Sequence, residues 1–180
     1  MDRLIEVNHV KDIFPRFRHT PIETLFESHN LGKTFKDCTN AEIILGMCPD
    51  HQQNLRIPEN FAFIIHPGET DFRSAEFEIS YAISVCGVKA IALIAHSNCG
   101  FFNIISRKNQ FIEGLVNNGG WQFKEAEEYF LSFAAKFNIK DKIGFIIDEA
   151  KRIQSRYPKI PVAPLYYQSE NKLLYQIHTS

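Results

Sequence analysis

Two short segments carry the residue types from which a metal site is made: Cys48-Pro49-Asp50, and His96-Ser97-Asn98-Cys99-Gly100 about fifty residues later. Two thiolates and one imidazole are the donor set that borderline-soft zinc prefers, and three protein ligands leave its fourth position open. The His-x-x-Cys spacing lets both side chains turn toward one point from a single loop, and Gly100 frees the backbone just past the last donor. Cys48 has to arrive from a neighbouring element. Spacing alone leaves two readings open, a three-ligand zinc site or buried cysteines acting as small hydrophobes. Cys86, on an apolar helix pattern, reads as such a hydrophobe. Cys38 sits in a polar connector. His9, His19, His29, His66 and His178 have no comparable company and read as surface or core residues.

The elements that must position these donors alternate between strand and helix. Ala41-Glu42-Ile43-Ile44-Leu45-Gly46-Met47 is an apolar run ending at Cys48. Phe61 to Ile65 is a second, closed by His66-Pro67-Gly68, and Val88 to Ala95 is a third, ending at His96. Near-continuous apolar strands are what a parallel sheet covered on both faces requires. Phe72, Ala75, Ile79, Ala82, Ile83 and Cys86 mark a helix between the second and third strands, with Gly87 as its stop. Two more helices are expected over Trp121–Phe137 and Asp141–Tyr157. Val162–Gln168 and Leu173–Ile177 around Ser169-Glu170-Asn171 read as a strand and its hairpin return. The first forty residues read as an arm and one helix, with Thr20 as cap, Pro21 in the first turn, Glu23 reaching back and Gly32 as stop. The expected fold is α/β, a mostly parallel open sheet flanked by helices with an N-terminal helical arm. Ligands in such sheets sit beyond the carboxyl ends of strands, where Cys48 and His96 fall.

The chain has 180 residues, and no linker or repeat divides it. One domain is therefore expected over residues 1–180, made of an arm and helix over 1–40 and a core over 41–180. A formal net charge of −1 and the lack of a Lys/Arg run speak against nucleic acid or an anionic membrane as partner. The start of the chain has no secretory pattern, and Ala90 to Ala95 is too short to span a bilayer. Four cysteines without a dense framework suit a reducing compartment, so a cytoplasmic protein is expected.

The order Gly46-Met47-Cys48-Pro49-Asp50, Ser74-Ala75-Glu76-Phe77-Glu78, Gly87-Val88-Lys89-Ala90-Ile91 and His96-Ser97-Asn98-Cys99-Gly100 resembles the β-class carbonic anhydrases. Pro161-Val162-Ala163-Pro164-Leu165-Tyr166-Tyr167 is similar to that family's closing strand, and the likeness runs from about Ala41 to Ile177. The resemblance implies a Zn(2+) enzyme that reversibly hydrates carbon dioxide to bicarbonate, with Cys48, His96 and Cys99 as ligands. Asp50 would either accept a hydrogen bond from the metal's water or become the fourth ligand. Zinc would lower the pKa of that water toward neutrality, and hydroxide would attack the carbon of a small apolar electrophile. The family also implies a homodimer or higher oligomer, and the arm before Ala41 could wrap a neighbour.

The family motif is Cys-x-Asp-x-Arg, and here Gln52 stands where the arginine belongs. In an extended segment residues 48, 50 and 52 face one way, so Gln52 can donate to Asp50 but brings no charge. Two thiolates already neutralise zinc. Hydroxide and an ionised Asp50 would then add two uncompensated charges, so the water should hold its proton to higher pH. Asp50, without a guanidinium fork, is freer to ligate the metal and close the site. Arg56 or a protonated His51 could restore the charge. A second departure is Ile65-His66-Pro67-Gly68-Glu69-Thr70, where the family shows an Arg-x-x-Gly-Asn-like segment; His66 and Glu69 would alter the pocket wall.

Other chemistries lack their residues. Asn54 and Ile105 occupy the places where a cysteine phosphatase needs arginine, and no Cys-x-x-Cys pair, Gly-x-Ser-x-Gly elbow or glycine-rich phosphate loop occurs. Two classes remain. One is an enzyme acting on carbon dioxide, or on a relative such as carbonyl sulfide or carbon disulfide. The other is a non-catalytic zinc protein on the same scaffold.

Overall fold

The computed structural model describes residues 3–48, 55–66, 72–100, 104–134 and 141–179. Its centre is a six-stranded sheet in the order β1-β6-β5-β4-β2-β3. The strands are β1 (Leu4–Glu6), β2 (Ile43–Met47), β3 (Ala62–Ile65), β4 (Ala90–His96), β5 (Val162–Gln168) and β6 (Leu173–Ile177). β3, β2, β4 and β5 run parallel, whereas β6 returns antiparallel to β5 and β1 antiparallel to β6. The expected mostly parallel α/β sheet is therefore observed.

β2 and β4 are buried at every position, as strands covered on both faces must be. Their side chains alternate between two cores. Ile43, Leu45 and Met47 join Ala90, Ala92 and Ile94 on one face, and Ile44 joins Ile91, Leu93 and Ala95 on the other. Helix α1 (Pro21–His29) covers the first face with Ile22, Leu25 and Phe26, and the second is covered by α2 (Glu76–Ser84) and α5 (Lys142–Arg156). Each fully buried Ile, Leu or Phe contributes about 1.5–3 kcal/mol relative to exposure, so both faces hold the sheet firmly.

The helix ends follow the chemistry of their sequences. Thr20 Oγ1 accepts from the Ile22 N–H at 3.2 Å, and Glu23 reaches back to the His19 N–H at 2.6 Å. Gly32 and Gly87 both adopt left-handed backbone, with φ of 68° and 74°, which glycine supplies without a Cβ clash. Asp141 caps α5 by accepting from the Gly144 N–H at 2.9 Å. Arg152 reaches from α5 to Glu76 on α2 at 2.8 Å and also holds Glu149.

Three features depart from the sequence expectation. The N-terminal arm lies on this chain's own sheet: Leu4–Glu6 forms an edge strand, and Val7, Ile13 and Phe17 are buried in the first core. Two side-chain amides anchor it. Gln176, itself fully buried, accepts from the Phe14 N–H at 2.7 Å and donates to the Asp12 carbonyl at 3.0 Å. Asn30 Nδ2 donates to the Val7 carbonyl at 3.3 Å, and Asn30 also pairs both ways with the Leu174 backbone at 2.8 and 3.1 Å. A second departure is α3 (Lys108–Gly119), which packs with α4 (Phe123–Ala134) around Ile112, Ala126 and Phe130, apart from both sheet cores. Its asparagines and glycines hide it from propensity reasoning. Cys86, expected in the core, is only half-buried.

Among the described residues, no helix is long and apolar enough to cross a membrane.

Candidate metal centre

β2 leads outward to β3, yet the chain returns to place β4 on the other side of β2. Strand order therefore reverses between β2 and β4, the switch point beside whose carboxyl ends ligands of such sheets bind. Met47 is in register with Ile94, so Cys48 emerges level with the last residues of β4, where His96 stands. The His96–Cys99 loop then curls back over the same edge. Asn98 in that loop has φ of 56°, a left-handed conformation that asparagine tolerates better than most residues.

The three donors converge. Cys48, His96 and Cys99 offer ligand atoms that all lie within 4.8 Å of one another, and all three residues are buried. The two sulfurs are 3.7 Å apart. Zn–S bonds of about 2.3 Å in tetrahedral geometry place two sulfurs roughly 3.8 Å apart, so the spacing fits zinc. It also exceeds the roughly 2.05 Å of a disulfide bond. His96 Nδ1 donates to the Ser97 carbonyl at 2.7 Å. A neutral ring that donates from Nδ1 carries its lone pair on Nε2, the tautomer a metal needs. These residues fit a zinc ion, and His96 Nε2 with the two sulfurs would hold it.

Several polar groups lie around these three residues. Lys142, at the start of α5, extends its Nζ to 3.4 Å from the His96 carbonyl. Half-buried Tyr166 has its hydroxyl pKa raised by burial and, secondarily, by the negative charges of Glu170 and Cys99. Glu170, in the β5–β6 turn, accepts from Ser97 Oγ and Asn98 Nδ2, each at 3.0 Å. Hydrogen bonds from its own backbone N–H, then from Ser97 and Asn98, hold its carboxyl below the usual range. His66 places Nδ1 3.2 Å from the Met47 carbonyl, next to Cys48. Lys142 and Glu170 carry no motif that would have marked them. Only the strand register, which sets the β5–β6 turn beside the end of β4, brings Glu170 to the loop.

Other expectations resolve differently. Asp50, expected beside the metal, lies outside the described residues, as do His51, Gln52 and Glu69. The Arg56 backbone N–H donates to His29 Nδ1 at 3.0 Å, and the Arg56 charge opposes protonation of that ring. His29 is a core histidine, 6% exposed, with Nε2 donating to the Lys172 carbonyl at 3.0 Å. Its pKa is lowered chiefly by burial. His9 and His19 are exposed. Cys38 packs at the margin of the first core, and burial raises its thiol pKa, with Glu42 and Asp37 adding to the effect.

No family model matches this sequence. No curated protein matches it either. Solved structures do match in shape. A β-carbonic anhydrase from the protozoan Trichomonas vaginalis superposes with a TM-score of 0.61 at 16% identity, over 84% of this chain and 91% of that one. A carbonic anhydrase from Streptococcus mutans gives 0.55 at 13% identity, over 83% and 90%. A carbon disulfide hydrolase gives 0.53 at 15% identity, over 80% and 82%. At such identities the likeness establishes architecture: this protein has the β-carbonic-anhydrase fold.

Proposed function

We propose that the chain is a carbonic-anhydrase-like zinc protein in which Cys48, His96 and Cys99 hold the ion and Asp50 stands beside it, reversibly hydrating carbon dioxide to bicarbonate. The observation that carries this reading is the buried triangle of two sulfurs and one imidazole at the strand-order reversal, with sulfurs 3.7 Å apart. Zinc, when bound to such a set, lowers the pKa of a coordinated water toward neutrality and so supplies the nucleophile. The chain's own residues do the rest. Ser97 fixes the His96 tautomer through its carbonyl. Asp50 orients the nucleophilic water by accepting its proton in a hydrogen bond, or closes the site by ligating the metal itself.

Gln52 tunes this proposal toward low activity. An ionised Asp50 beside a donor set of two thiolates has no guanidinium to offset it, so water at the site keeps its proton to higher pH than with an arginine present. Loss of that arginine also supports the second class, a zinc protein without catalytic turnover. Carbon disulfide or carbonyl sulfide is the alternative electrophile, in keeping with the hydrolase among the structural neighbours.

We also propose a cytoplasmic location and a homodimer. Reduced thiols at the metal suit the cytoplasm. A homodimer is supported by α2 and its C-cap, where Phe77, Tyr81 and Val85 recur at helical spacing and are 80%, 46% and 65% exposed. Metal analysis of the purified protein, together with stopped-flow hydration of carbon dioxide and hydrolysis assays on carbonyl sulfide and carbon disulfide, tests the whole. One zinc per chain with measurable turnover supports the enzyme. One zinc with no turnover on any of the three substrates supports the non-catalytic protein, and no zinc refutes both.

A further inference from the structure

Between the ligands His96 and Cys99 stand Ser97 and Asn98, which the end of β5 and the turn after it hold through several hydrogen bonds. The Ser97 N–H donates to the Tyr167 carbonyl at 3.0 Å. The Ser97 hydroxyl donates to Glu170 Oε2 at 3.0 Å and accepts from the Ser169 N–H at 2.8 Å. Asn98, in left-handed backbone, has its side chain held by Glu170 Oε1 at 3.0 Å. One carboxylate thus bridges both spacer residues. The line continues to the metal site, since the Ser97 carbonyl is the acceptor for His96 Nδ1 at 2.7 Å.

We propose that Glu170 is a positioning residue for the metal: by latching Ser97 and Asn98 it sets the orientation of the His96 ring and the offset of Cys99, and so governs zinc affinity and release. The proposal rests on the zinc reading above and adds to it a residue 71 positions beyond the last ligand in sequence. Glu170 is fully exposed, so truncating it opens no cavity in a core and strands no buried charge. What truncation removes is the pair of hydrogen bonds that hold the loop, while the strand pairing of β5 and β6 stays in place. Partners that orient a ligand without touching the metal are typically worth about tenfold to a hundredfold in metal affinity.

The test compares the native protein with Glu170→Ala and Glu170→Gln. Zinc affinity is measured by competition with a chromophoric chelator, zinc release by its rate, ligand geometry by the visible spectrum of the cobalt form, and scaffold stability by melting of the metal-free protein. The alanine variant is expected to bind zinc about tenfold to a hundredfold more weakly, to release it faster and to shift the cobalt bands, with the metal-free melting temperature unchanged. Glutamine keeps an acceptor oxygen for Asn98 and can donate to the Ser97 hydroxyl, so it is expected to recover most of the loss. Native-like affinity in the alanine variant overturns the proposal. So does a loss that tracks an equal fall in metal-free stability, or a glutamine variant as weak as alanine. A native protein that takes up no zinc sinks the metal reading itself, so the two failures are told apart.

Discussion

The sulfur atoms of Cys48 and Cys99 lie 3.7 Å apart although fifty-one residues separate them in the chain. Buried side by side, two thiolates repel each other and are costly unless a cation neutralises them. That relationship makes the first prediction. Cys48→Ser and Cys99→Ser should each weaken zinc binding by more than about a hundredfold, beyond the loss expected from outer residues. Chelator competition checks it, and a protein that keeps its metal with both cysteines replaced would refute the ligand assignment.

Gly46, two residues before Cys48, faces Phe72. A methyl group at this position would run into the Phe72 ring and come within 3.0 Å of Leu93 Cδ2. Gly46→Ala should therefore destabilise the protein by about 1–3 kcal/mol through overpacking. At about 2–4 °C per kcal/mol for a chain of this size, thermal melting should fall by several degrees. A companion Phe72→Leu change should recover part of the loss, and an unaltered melting temperature in the single variant would contradict the packing.

The missing charge at Gln52, where the family motif has arginine, should set the pH profile. With Gln52, hydration of carbon dioxide should be slow near neutral pH and rise toward about pH 9 as water at the site loses its proton, whereas Gln52→Arg should move the rise to lower pH. Stopped-flow rates from about pH 6.5 to about pH 9 check it. Family-like native activity at neutral pH with no gain in the variant would show that Gln52 imposes no defect.

His29 should couple folding to pH. Its pKa is depressed in the folded protein, first by burial and then by Arg56, against an ordinary value near 6.5. Above that value both folded and unfolded chains hold the ring neutral and nothing is lost. As pH falls below about 6.5 the unfolded chain takes up a proton that the folded chain resists, so stability declines until the folded ring also titrates. Denaturant unfolding of the native protein and His29→Gln at a series of pH values should show a steeper acid decline in the native protein. Parallel profiles would exclude His29 as the source.

The exposed row on α2 gives a test of self-association. Phe77→Glu should leave zinc content intact and shift the molecular mass measured by light scattering from dimer to monomer. An unchanged mass would remove this face from any dimer interface.

The apolar runs of β2, β3 and β4, the helix capped at Thr20 and the hairpin at Ser169–Asn171 were legible in the chain because local periodicity and capping chemistry act over a few residues. The same locality made the donors readable: Cys48 and His96 each end a strand, and Cys99 follows His96 at a spacing suited to one loop. What local pattern could not express was decided by register and packing. The arm lies on its own sheet because the buried Gln176 amide takes both its partners from Phe14 and Asp12, a match across 162 and 164 positions of chain with no trace in hydropathy. The Arg56 backbone meets His29, and Glu170 reaches the loop of candidate ligands only because β5 lies beside β4 and turns there. Donor identity resides in the residues themselves, whereas the orientation of those donors comes from contacts between segments far apart in the chain, which exist only once the sheet has assembled.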